Sequence, residues 1–147
     1  MPRGALAQLA DKKALTLTGA KKRAAAAAEE AVKHTENVVI VLVDDGGPLL
    51  SPQRLDDTMT GSIEIVIQQA QTAVTFKRPS TALAEALVPK NRPPSLTSPG
   101  AMPVEGGVPI VVNETGIGAI GVSGVTAQQE GQLAKAGADA LPKILGQ

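Results

Sequence analysis

This sequence predicts an α/β fold of the α+β kind: a mostly antiparallel sheet flanked by helices, in the order α-β-β-α-α-β-β-α. Three observations predict it. Residues 38–43 (VVIVLV) are β-branched and lack polar alternation, so they read as a central strand buried on both faces. Two pairs of strand-like segments are joined by short polar turns, which makes hairpins rather than βαβ crossovers. Other segments repeat apolar residues at i, i+3, i+4 and i+7, the spacing of one helix face. A chain of 147 residues, 43% hydrophobic and 19% charged, suits one domain over 14–147 behind a flexible tail at 1–13.

The first helix spans 15–34. Five consecutive alanines at 24–28 favour it, Thr16 or Thr18 can cap it, and basic His34 suits its C-terminal end. Its apolar face is mostly Ala, so it lies close against whatever it covers. Strand 38–43 follows, and Asp45-Gly46-Gly47 turns the chain into a return strand over 49–55. Pro48 and Pro52 push that strand to a sheet edge. Ile63, Val66, Ile67, Ala70, Ala73 and Val74 make the stripe of a second long helix, capped by Thr60 or Ser62 and ended by Pro79. A short helix covers 81–87. Residues 89–103 hold five prolines and form the longest irregular stretch, a length that goes with function or mobility. Strands 108–112 and 117–122 form a second hairpin around Asn113-Glu114-Thr115-Gly116. Thr126 and Gln129 form a capping box for the last helix. Its apolar face carries Leu133, Ala136, Ala140, Leu141 and Ile144, and Pro142 kinks or ends it.

Composition narrows the function. Fourteen Lys and Arg balance fourteen Asp and Glu, so the chain has no basic excess to hold nucleic acid at long range. One Phe, with no Tyr or Trp, rules out a base-stacking platform or an aromatic cation cage. The lack of cysteine removes disulfides, thiolate nucleophiles and cysteine metal sites. No apolar run approaches the roughly 20 residues of a spanning helix, and the first residues lack the apolar core of a signal peptide. The expectation is a cytoplasmic protein that binds a small molecule, not nucleic acid or membrane. Residues 1–36 carry seven basic and four acidic side chains, an excess that reads as a solvated helix face. The small-residue faces at 24–28 and at Ala134, Gly137 and Ala138 permit close helix contacts and predict a homo-oligomer.

Several motifs fail on inspection. Gly116, Gly118 and Gly121 match GxGxxG, but the following helix starts only after Gly124, so the glycines read as strand positions that another backbone or a ligand approaches. Gly121-Val-Ser123-Gly-Val125 has Val where a nucleophile elbow needs Gly, and His34 is the single histidine. Asp44 and Asp45 lie about eight strand residues from Asp56 and Asp57, roughly 25 Å apart, so no shared metal site is expected. His34, Met59 and Met102 are the conventional nitrogen and sulfur donors for a haem iron.

The strings IVLVDDGGPLLSPQRLDD, SIEIVIQQAQTAVTFKRPSTALAEAL, PVEGGVPIVV and GAIGVSGVTAQQEGQLAKAGADAL resemble the GlcG/HbpS family over residues 15–141. This haem-degrading-like family includes the C-terminal domain of PduO-type cobalamin adenosyltransferases. The resemblance implies a profilin- or roadblock-like sandwich, homo-oligomers, and in some members haem binding or a place in catabolism. The sequence departs from the family at Gln69, where Lys is common, at Arg54-Leu55-Asp56-Asp57-Thr58, and at Glu130, where Asp is usual. Two functions follow: a haem-binding or haem-handling small-ligand protein, or a lyase or isomerase acting on an organic acid. The segments that carry the resemblance place Arg54, Arg78, Gly106, Gly107 and Ser123 as ligand-binding residues at one sheet end. Glu64 and Glu105 are the candidate proton-transfer groups, with Arg54 and Glu64 expected to pair, and His34 is the candidate cofactor ligand.

Overall fold

A computed structural model describes residues 8–87 and 104–140. The expected order is observed: α1 (Leu17–Lys33), β1 (Val39–Asp44), β2 (Leu49–Arg54), α2 (Ser62–Phe76), α3 (Ser80–Leu87), β3 (Gly107–Val112), β4 (Thr115–Ser123) and α4 (Ala127–Ala138). The proline-rich segment 89–103 with Met102, and Leu141, Pro142 and Ile144, lie outside the described residues.

The sheet is fully antiparallel, in the order β2-β1-β4-β3. β1 is central and divides the core, as its unalternating sequence requires. Val38, Ile40 and Leu42 face α1 and α4, whereas Val39, Val41 and Val43 face α2. β2 is the edge strand that its prolines predicted, with Pro52 opposite Val41. The β3–β4 turn is tighter than expected. Asn113 and Glu114 both have positive φ, +49° and +65°, which is what a two-residue primed turn demands, and β4 begins at Thr115.

Thr16 caps α1 through Gly19 N–H at 3.0 Å. Thr126 and Gln129 form the full capping box of α4. Thr126→Ala should therefore lower stability by about 1 kcal/mol, read as a fall in urea midpoint at unchanged m-value. The cap expected on α2 is absent: Gly61 takes the N-cap position with no side-chain hydrogen bond. Its buried face is also rotated from the predicted stripe. Val66, Gln69, Ala70 and Ala73 are buried, whereas Ile63 is 39% exposed. The rotation follows from glycines in the sheet. A Cβ on Gly121 would stand 2.5 Å from the Val66 carbonyl, and one on Gly107 would strike the Gln69 carbonyl. The approaching group expected at these strand glycines is the backbone of α2.

The small-residue faces of α1 and α4 meet each other. A Cβ on Gly137 would lie 3.0 Å from the Arg23 carbonyl and 3.3 Å from Ala27 Cβ. Ala24, Ala27, Ala134 and Gly137 are therefore buried within the chain and lend the homo-oligomer expectation no support. Arg23 also departs from the solvated face predicted for the basic segment: it is 1% exposed and donates to the carbonyls of Ala138 (2.6 Å) and Gly137 (3.4 Å). Burial pulls its guanidinium below the ordinary value, opposed by Asp139.

Candidate functional site

Four segments converge at the end of the sheet that carries Ser123. β1 begins there, with Val39 paired to Ser123. Thr58 donates to the carbonyls of Val38 (3.1 Å) and Leu55 (2.7 Å), which fixes the chain leading to Met59 and α2. Buried Ser80, at the start of α3, donates to the Val104 carbonyl (2.5 Å) and accepts from Gly107 N–H (3.0 Å). That pair pins residues 104–107 beside α2. Gly106, at φ +133°, adopts a conformation that disfavours a side chain, and a Cβ there would also stand 2.6 Å from Gln69 Nε2.

Between these segments lies a cleft of about 260 Å³. Met59, Ile65, Val104 and Val125 supply its apolar lining, and Ser62, Gln69, Ser123 and Glu130 its polar groups. Glu130 is the centre of this polar floor. It is 5% exposed, accepts from Gly124 N–H at 2.9 Å and from Gln69 Nε2 at 3.0 Å, and is also hydrogen-bonded by Val125 N–H and the Ser123 side chain. Burial pushes its carboxyl above the ordinary carboxylate range, and these donors only partly offset that. Gln69, fully buried, spends its second N–H on the Glu105 carbonyl at 2.8 Å. Both partners of Nε2 are acceptors, which fixes the amide orientation and leaves Gln69 Oε1 buried without a donor.

The expected site residues divide into three groups. Ser123 lines the Glu130 cleft. Glu105, Gly106 and Gly107 line an adjoining groove with Pro79, Thr81, Gly131 and Lys135. The Glu105 carboxyl rests against Gly131, where any Cβ would collide with it. Arg54, Glu64, Arg78 and His34 line neither, although Arg54 shares the Ser123 end of the sheet, where both pair with Val39. All four are exposed. Among the described residues no ion pair joins Arg54 to Glu64, which corrects the expected pairing: Arg54 ends an edge strand and Glu64 points from the outer side of α2. His34 is the C-cap of α1, 3.7 Å from Glu30. Among the described residues no group of three or more His, Asp or Glu could hold a metal ion, and no helix is long and apolar enough to cross a membrane.

Gln69 and Glu130 stood out in the sequence as departures from the family and were not placed among the site residues, although a further signal was present. Gln69 interrupts an apolar stripe between Val66 and Ala70. Glu130 stands three, four and seven residues before Leu133, Ala134 and Gly137, on the face that α4 buries.

Comparison with known proteins agrees with this fold. The family model described as "Haem degrading protein HbpS-like" matches residues 15–139. GlcG of Escherichia coli K12 is 42% identical over 91 residues, covering 62% of this chain and 67% of GlcG. The crystal structure of HbpS superposes with a TM-score of 0.81 at 32% identity, covering 92% of this chain and 95% of that one. A crystal structure of PduOC in complex with haem gives 0.78 at 25% identity, covering 87% and 95%.

Proposed function

The chain belongs to the HbpS-like family, the GlcG/HbpS group, and from that premise we propose that it binds a small ligand in the cleft between α2 and the first turn of α4. One observation carries the reading: an apolar-walled cleft lined by a buried carboxylate, Glu130, and by Gln69, whose amide oxygen is buried without a donor. Buried polar groups are ordinarily satisfied, and a concave apolar site with a few convergent polar groups is the usual form of a ligand pocket.

Haem, the ligand named for one structural relative, does not fit the described residues of this cleft. Its volume, about 260 Å³, falls below the roughly 300–1,000 Å³ of ordinary small-molecule sites. No Lys, Arg or His is among the described residues that line it, so propionates meet no cation there. The Met59 thioether at the rim is the one soft donor among them, and His34 caps α1 on an exposed surface. Titration with haemin should accordingly give no Soret change that saturates at one equivalent per chain. A stoichiometric shift that Met59→Ala abolishes would replace this reading with haem binding.

The organic-acid lyase or isomerase receives less support. Glu130 offers the buried proton-transfer group such an enzyme needs, but Arg54 and Arg78, the expected carboxylate anchors, lie outside the cleft.

A further inference from the structure

The charge balance of the cleft narrows the class of ligand. Among its described lining residues the sole formal charge is the Glu130 carboxylate. Its hydrogen-bond partners are neutral: two backbone N–H groups, an amide and a hydroxyl. The nearest alternative cation, Lys135, is exposed, lines the adjoining groove and pairs with Asp139 at 2.6 Å. Gln69 Oε1 adds a second acceptor with no donor. A helix N-terminus beside a cleft favours anions, but both helices that begin here carry their own carboxylate in the first turn, Glu64 in α2 and Glu130 in α4. The capping box further satisfies α4. Among the described residues the cleft therefore holds one buried carboxylate and no cation beside it, a costly arrangement.

We infer that the cleft binds a small alkylammonium ligand, with the ammonium group against the Glu130 carboxylate and a short apolar chain against Met59, Ile65, Val104 and Val125. This inference rests on the reading of the cleft as the ligand site. An ammonium group brings both the missing charge and up to three donors, whereas a carboxylate or a propionate would add a second negative charge to the same floor.

The test is titration of the labelled chain with n-butylammonium chloride, sodium butyrate and 1-butanol, followed at the backbone amides of Ser123, Gly124 and Val125 and the side-chain amide of Gln69. Butylammonium should shift these signals saturably, with at least about tenfold tighter binding than either control, as expected for a hydrogen bond to a charged group. Glu130→Gln should remove that preference. Because Glu130→Gln disturbs a buried network, Gln69→Lys provides a second variant. Its ammonium can donate to the same two acceptors, Glu105 O and Glu130, and should weaken butylammonium binding at least about tenfold. If butyrate or butanol binds as tightly at these amides, or if neither variant alters butylammonium binding, the ammonium assignment is overturned while the cleft stands as a site. If none of the three probes moves these signals, the cleft reading fails as well.

Discussion

Gly121→Val should remove a large part of the chain's stability. Gly121 lies in β4 opposite Val41 on one side and Gly107 on the other, in the middle of the sheet. Even the first added carbon would stand 2.5 Å from the Val66 carbonyl, 3.1 Å from Ala70 Cβ and 3.2 Å from Ala70 N. Two of these are backbone atoms of α2, so no side-chain rotation relieves the clash. The whole helix must lift. Lifting it would expose Val66, Ala70 and Ala73, which pack on Val39, Val41 and Val43, and would part Gln69 from Glu130. Overpacking of a close backbone contact costs about 3 kcal/mol or more, against a total stability on the order of 5–15 kcal/mol. Circular dichroism melts and an amide correlation spectrum read the result. A sharp transition within a few degrees of the parent would show that α2 does not depend on this glycine.

Arg23→Ala should be the second largest loss, about 3 kcal/mol in urea unfolding. Arg23 lies on the alanine face of α1 among Ala20, Ala24 and Ala27, and its guanidinium crosses to the C-terminal end of α4. There it donates to the Ala138 carbonyl at 2.6 Å and, at 3.4 Å, to the Gly137 carbonyl, which also accepts from Ala140 N–H. Truncation removes the aliphatic stem and takes the donor from the Ala138 carbonyl under α1. Arg23→Met restores the stem but not the donors, so it should recover part of the loss. Equal destabilisation by Met and Ala would assign the whole effect to hydrogen bonding, and no loss in either would show that α4 is held without Arg23.

The sequence by itself determined the elements of this protein. A β-branched run without alternation can be satisfied only between two apolar layers, which made β1 central. Pro52 cannot donate to a ladder, which put β2 at the edge. Thr126 and Gln129 are chemically complete as a capping box, so the start of α4 was legible from four residues. Each of these signals is local, with its cause within one turn or one strand.

What only the tertiary structure decided is which polar residues meet, and on which face each helix turns. Ile63 reads as core and is half-exposed, because Gly106, Gly107 and Gly121 let α2 seat with Gln69 inward instead. Arg23 reads as solvated with Lys21 and Lys22, but the carbonyls that bury it are 114 and 115 residues away. Arg54 and Glu64 read as partners because each sits at an element boundary in a segment that carries the family resemblance, whereas the buried contact joins Gln69 to Glu130 across 61 residues. A buried carboxylate is defined by what excludes water from it. Here the residues that do so come from α2, β4, α4 and the approach to β3, and only folding brings them together.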